Sequence, residues 1–170
     1  MGHAKPTEIL SHWNTRVDGM QQSSHEFYGA VERTLDTHSL KDYKTERVNI
    51  SEGGIFSSKR EYLQVRRADI VFHICAAPYG NGFFLSWWLG RIESGFWAWI
   101  SDIPVIGMLA QNFLKPLTYY KLDTAAMFQG VVHSVVLEVL DGLTTEKGIR
   151  ALAESERRPV MRDFFARLGG

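Results

Sequence analysis

IVFHICAAPYGNGFFLSWWL, residues 70–89, reads as two β-strands folded around a tight turn. Pro78, Gly80, Asn81 and Gly82 stop the first strand and supply the positive-φ positions that a short hairpin needs. Successive side chains on a strand point to opposite faces. One face of this hairpin therefore holds Ile70, Phe72, Ile74 and Ala76 beside Phe83, Leu85, Trp87 and Leu89. The other holds Val71, His73 and Cys75 beside Phe84, Ser86 and Trp88. Both faces are apolar, and a helix layer covers only one of them. The second face needs its own cover: a later part of the chain, a second subunit, or a ligand in a pocket.

The two-residue period continues upstream. TERVNIS and REYLQVRR alternate, with Gly53 and Gly54 of SEGGIF as a turn between them. Together with the hairpin they make a meander of about four antiparallel strands. LTYYKLD, residues 117–123, is a further strand candidate.

Two segments carry helical spacing. Ser23 and Glu26 have capping-box spacing, and Phe27, Ala30, Val31 and Leu35 follow on one face. The second helix is expected from about Thr124 to Leu140, with Asp123 as N-cap and Gly142 as stop. Met127, Phe128, Val131, Val132, Val135, Val136, Val139 and Leu140 form its wide apolar arc. So many β-branched residues favour a helix only when packing holds it. Its natural seat is the aliphatic hairpin face, and His133 falls on its polar, solvent-facing side. Two short helices are expected near residues 145–153 and 155–168. Residues 1–20 carry weak patterning.

The fold class is α+β: one domain over residues 1–170. An antiparallel sheet of about 4–5 strands is packed by an N-terminal helix and a long Val-rich helix. Short C-terminal helices and an apolar Trp-rich insertion at residues 95–115 complete it.

Composition narrows the function classes. The formal net charge is zero, which argues against a surface devoted to nucleic acid. The one cysteine, Cys75, excludes an internal disulfide and fits a reducing, cytoplasmic setting. Residues 1–7 contain no signal-peptide core. Residues 95–113, GFWAWISDIPVIGMLAQNF, are apolar but carry Asp102 and Pro104, which suits a segment that does not span lipid.

Three functions compete. The first is a non-enzymatic interaction protein that docks through Phe96, Trp97, Trp99 and Ile100, with Phe84 and Trp88, on another subunit, on a second copy of itself or on a membrane surface. Tryptophan concentrates at such interfaces because it is apolar with a single donor. Arg91 and Lys115 flank the segment. The second is a pocket-bearing carrier or enzyme, with His73 as general base and Cys75 as nucleophile. Two residues apart on one strand, these two share a face but stand roughly 6–7 Å apart at Cβ. Buried thiols are usually inert packing groups. The third is a single-stranded nucleic-acid binder using Arg60, Tyr62 and Arg66, against which stands the absence of a complete RNA-binding signature. No motif points to a metal or cofactor.

Overall fold

The structure is a computed structural model that describes residues 8–51, 59–92 and 118–161, together with Pro6. The elements in chain order are β1 (Glu8–Asp18), α1 (Ser24–Thr37), β2 (Lys44–Ser51), β3 (Lys59–Arg67), β4 (Ile70–Tyr79), β5 (Gly82–Arg91), α2 (Tyr119–Glu146), a 3-10 turn (Glu154–Arg157) and β6 (Val160–Met161). The strands form one antiparallel sheet of six, ordered β2-β3-β4-β5-β1-β6. The class is α+β, as the patterning implies, and the meander β2 to β5 is there.

The strand that the patterning misses is β1. Residues 1–20 were expected to be weakly structured, yet β1 runs 11 residues and pairs with β5 along its length. Its buried positions Trp13, Thr15 and Val17 do alternate with exposed Asn14, Arg16 and Asp18. A bulge between Ile9 and Ser11 breaks the alternation at the start, where Leu10 and Ser11 are both buried.

The β4–β5 hairpin closes through Gly80 and Asn81, with Tyr79 opposite Gly82 and Gly80 at φ 62°. A positive φ at the first of two loop residues is the pattern of a type II′ turn. Gly82 is required for another reason: a Cβ there would lie 2.7 Å from the Val17 carbonyl oxygen of the neighbouring strand.

Both helices pack on the aliphatic face. α1 places Phe27 edge-on against Phe83, and α2 places Phe128 against Phe72. Phe27, Tyr28, Val31 and Leu35 of α1 and Phe128, Val132, Val135, Val136 and Leu140 of α2 join Phe72, Ile74, Leu85 and Trp87 in one buried cluster. The Val-rich helix thus sits where its apolar arc directs it, although Met127 is exposed rather than buried.

α2 is longer than its pattern suggests. It starts at Tyr119, so residues 119–123 are helix and not strand, and Thr118 rather than Asp123 is the N-cap. The Thr118 hydroxyl accepts from the Lys121 amide. Gly142 lies inside the helix, which ends instead at Gly148, φ 64°. There the Ile149 amide donates to the Thr144 carbonyl and the Gly148 amide to the Thr145 carbonyl, the paired bonds of a Schellman cap. Beyond it, the expected C-terminal helices are replaced over residues 154–161 by the 3-10 turn and β6; residues 162–168 lie outside the described residues.

Candidate functional site

The register puts two sets of side chains on the sheet face away from the helices. From β3 and β4 come Arg60, Tyr62, Gln64, Arg66, Val71, His73 and Cys75. From β5 and β1 come Phe84, Ser86 and Trp88, with His12 opposite Trp88. Val48, Val71 and Cys75 are buried here yet stand outside the main core cluster, so this face has an apolar centre of its own.

The centre of the face is unfavourable for chemistry of the thiol-base kind. Cys75 is fully buried, and burial pushes its thiol up; the Arg60 charge and hydrogen bonds from Arg60 and Ser86 only partly oppose that. A nucleophilic cysteine needs the opposite shift. His73 is buried beside it, with Nε2 3.2 Å from Gln64 Oε1 and its ring edge-on to Tyr62. Thiol-reactive labelling at neutral pH should therefore modify Cys75 at least roughly a hundredfold more slowly in the native chain than in urea, because reaction waits on opening. Labelling at the unfolded rate would favour the pocket-bearing function. Among the described residues, no group of three or more His, Cys, Asp or Glu is placed to hold a metal ion.

The rim of the face is more open. Trp88 is 42% exposed and stacks on His12, with ring centroids 4.8 Å apart. Next to it, a cavity of about 270 Å³ lies between β1 and β6, lined by Ile9, Ser11, His12, Val160 and Met161. Phe84 shares this face and is half-buried. Arg60, Tyr62 and Arg66 fall on one face, as their spacing requires. Phe96, Trp97, Trp99 and Ile100 lie outside the described residues.

The first turn of α2 carries the most exposed aromatic rings. Tyr119 is 88% and Tyr120 79% exposed, and Met127 is exposed two turns further along. By length and composition α2 could cross a membrane, with a mean hydropathy of 1.3. Its Phe128-to-Leu140 side, however, is packed into the core. Comparison of the chain with family models, curated proteins and solved structures finds no match to any of them.

On the helix side of the sheet lies an arrangement that residue patterns alone do not disclose. His133 is not solvent-facing. It is half-buried between Trp13 and Trp87, edge-on to both rings at 5.3 and 5.4 Å. The Trp87 indole donates to its Nδ1 at 3.1 Å, and its Nε2 lies 2.7 Å from the Arg157 carbonyl oxygen. An indole N–H only donates. Nδ1 is thus the bare nitrogen, the proton sits on Nε2, and His133 donates to Arg157. His73 and His133 lie on opposite sides of the sheet and form no joint site. The hint in the sequence was spacing: His133 falls one residue after Val132 and two before Val135, at the border of the apolar arc.

Proposed function

We propose that this chain is a non-enzymatic docking protein that rests on a membrane surface through the apolar segment holding Phe96, Trp97, Trp99 and Ile100. The observation that carries the proposal is the exposed Tyr119–Tyr120 pair at the start of α2, only a few residues past the end of that segment. Tyrosine and tryptophan favour the boundary between water and lipid, where an apolar ring and a polar tip are both satisfied. Arg91 and Lys115 flank the segment and Lys121 follows the tyrosines, which suits an anionic headgroup layer. Asp102 and Pro104 favour a segment that lies in the interface over one that crosses it.

Vesicle flotation with phosphatidylcholine, with and without phosphatidylserine, tests this beside sedimentation of the free protein. The native chain should float. The pairs Trp97→Ser/Trp99→Ser and Tyr119→Ser/Tyr120→Ser should each lose at least about tenfold in partitioning, since burying one large ring is worth roughly 1.5–3 kcal/mol. A monomer that ignores vesicles overturns the proposal. A dimer that ignores them moves the same apolar surface, with Phe84 and Trp88, to a subunit interface.

A further inference from the structure

The sheet face turned away from the helices lines up rings in a row across its strands. The register places Gln64 opposite His73, His73 opposite Trp88 and Trp88 opposite His12. Trp88 stacks on His12 at 4.8 Å, and Tyr62 stands edge-on to His73. Trp88 is exposed and Tyr62 and Phe84 are half-buried, so part of each ring reaches water. His73 and Gln64 are buried and lie within hydrogen-bond distance of each other, which fixes the floor of the row.

Cations flank this row on both sides. Lys44 lies opposite Arg66 toward one end of β3, Arg60 lies toward the other end, and Arg16 lies opposite Phe84. All four are exposed. Like charges directly opposite on a sheet repel, so the Lys44–Arg66 pair costs stability unless an anion sits between them. A cavity of about 300 Å³ opens beside that pair, with Asp42 and Ala68 completing its wall. Two carboxylates on these strands share the face, Glu46 and Asp18, and Asp18 is taken up by Arg16 at 3.0 Å. Among the described residues no carboxylate pairs with Lys44, Arg60 or Arg66. The face thus combines exposed ring surface with positive charge, although the chain as a whole has a formal net charge of zero.

We propose that this face binds single-stranded nucleic acid: bases stack on Trp88 and Tyr62, and phosphates meet Arg60 and Arg66. Every base offers a π-face to an aromatic ring, and a guanidinium meets phosphate with paired donors. A duplex hides those base faces between neighbouring pairs, so the rings select the single strand. A lipid headgroup layer would engage the cations alone. The site lies across the sheet from α2, which packs on the aliphatic face, so it does not depend on membrane docking.

Fluorescence anisotropy on the full chain tests this with a labelled oligothymidylate and oligouridylate of about 12 nucleotides, since a single-strand-binding domain covers roughly 4–16. Binding should saturate at about 50 mM salt and weaken about sevenfold by about 200 mM, the slope of roughly −1.4 that two phosphates at about −0.7 each produce. Arg60→Ala and Arg66→Ala should each halve that slope, and the double variant should flatten it. Trp88→Ala should weaken binding at least about fivefold with the slope kept, and Trp88→Phe should recover most of the loss. A blunt duplex of the same length should compete at least about tenfold less well. Tyr119→Ser/Tyr120→Ser should leave the affinity unchanged.

No binding at low salt, a slope indifferent to Arg60 and Arg66, a duplex that competes equally, or an affinity that Trp88→Ala leaves unchanged overturns the proposal. Phosphatidylserine vesicles held through Arg60 and Arg66, with both oligonucleotides ignored, overturn it as well. Should Trp88→Ala fail to fold, quenching of tryptophan emission by the bound oligonucleotide decides. Quenching that Trp88→Phe removes supports stacking; quenching that survives it refutes stacking.

Discussion

Trp87→Ala should cost the fold about 3–5 kcal/mol, the range for removing a large aromatic ring from a close-packed core. Trp87 is fully buried at the centre of β5. Its ring meets Phe72 at 5.1 Å and His133 at 5.4 Å, both edge-on. The truncation removes those contacts and also strips His133 Nδ1 of its donor. A domain's whole stability is about 5–15 kcal/mol. For a chain of this length, Tm should fall by roughly 8–16 °C. Trp87→Phe is the intermediate case, because it keeps one six-membered ring and loses the N–H with the rest of the indole. It should cost about 1–2 kcal/mol. A thermal melt in which Trp87→Ala moves Tm by less than a few degrees would show that the sheet and α2 do not meet through this ring.

Tyr28→Phe should cost about 2–3 kcal/mol although it removes one oxygen and no apolar surface. The ladder between β3 and β4 runs only from Arg67↔Ile70 to Leu63↔Ile74. Beyond it the strands part, and the Tyr28 hydroxyl from α1 fills the gap. It donates to the Glu61 carbonyl at 2.9 Å and accepts from the Ala76 amide at 3.0 Å. Burial pushes the phenol far above its ordinary range, so it stays protonated and keeps both roles. Phenylalanine would leave a buried amide and a carbonyl without partners, at about 1–3 kcal/mol for each group not rescued by water. Urea melts should show a lower midpoint with unchanged m. Exchange at the Ala76 amide should speed up ahead of its neighbours. An unchanged midpoint would mean that water replaces the hydroxyl without loss.

These two residues also mark the limits of pattern reading. The hairpin was legible because the alternation and a Gly-Asn loop agreed; Pro78, read as a strand stop, lies inside β4 opposite Phe83. The Val-rich helix was legible because its arc matched the aliphatic face now found beneath it. Tyr28 was not, since a tyrosine beside Phe27 on a helix looks like a boundary residue. Its burial follows from a gap between strands that are distant in sequence. β1 was missed because its apolar positions are interrupted by Thr15 and doubled by the bulge at Leu10 and Ser11. Its identity as a strand comes from the full-length edge of β5 beside it. Residues 119–123 went to helix because Thr118 caps them, a local cue that the alternation of LTYYKLD masks.

The candidate sites divide in the same way. That His73 and Cys75 share a face, that Phe84 and Trp88 join them, and that Arg60, Tyr62 and Arg66 line up all follow from the period of two, a property of any extended strand. That Cys75 is buried with its thiol pushed up, and that Trp88 stacks on His12, required the sheet order, which puts the first strand of the chain beside the fifth. The role of His133 required more still: β5, α2 and the segment 154–161 had to meet at one ring. Local pattern is written in neighbours three or four residues apart, so it specifies periodicity and faces. A hydrogen bond between residues 46 or 24 positions apart depends on where whole elements pack, and only the folded chain brings Trp87, His133 and Arg157 together.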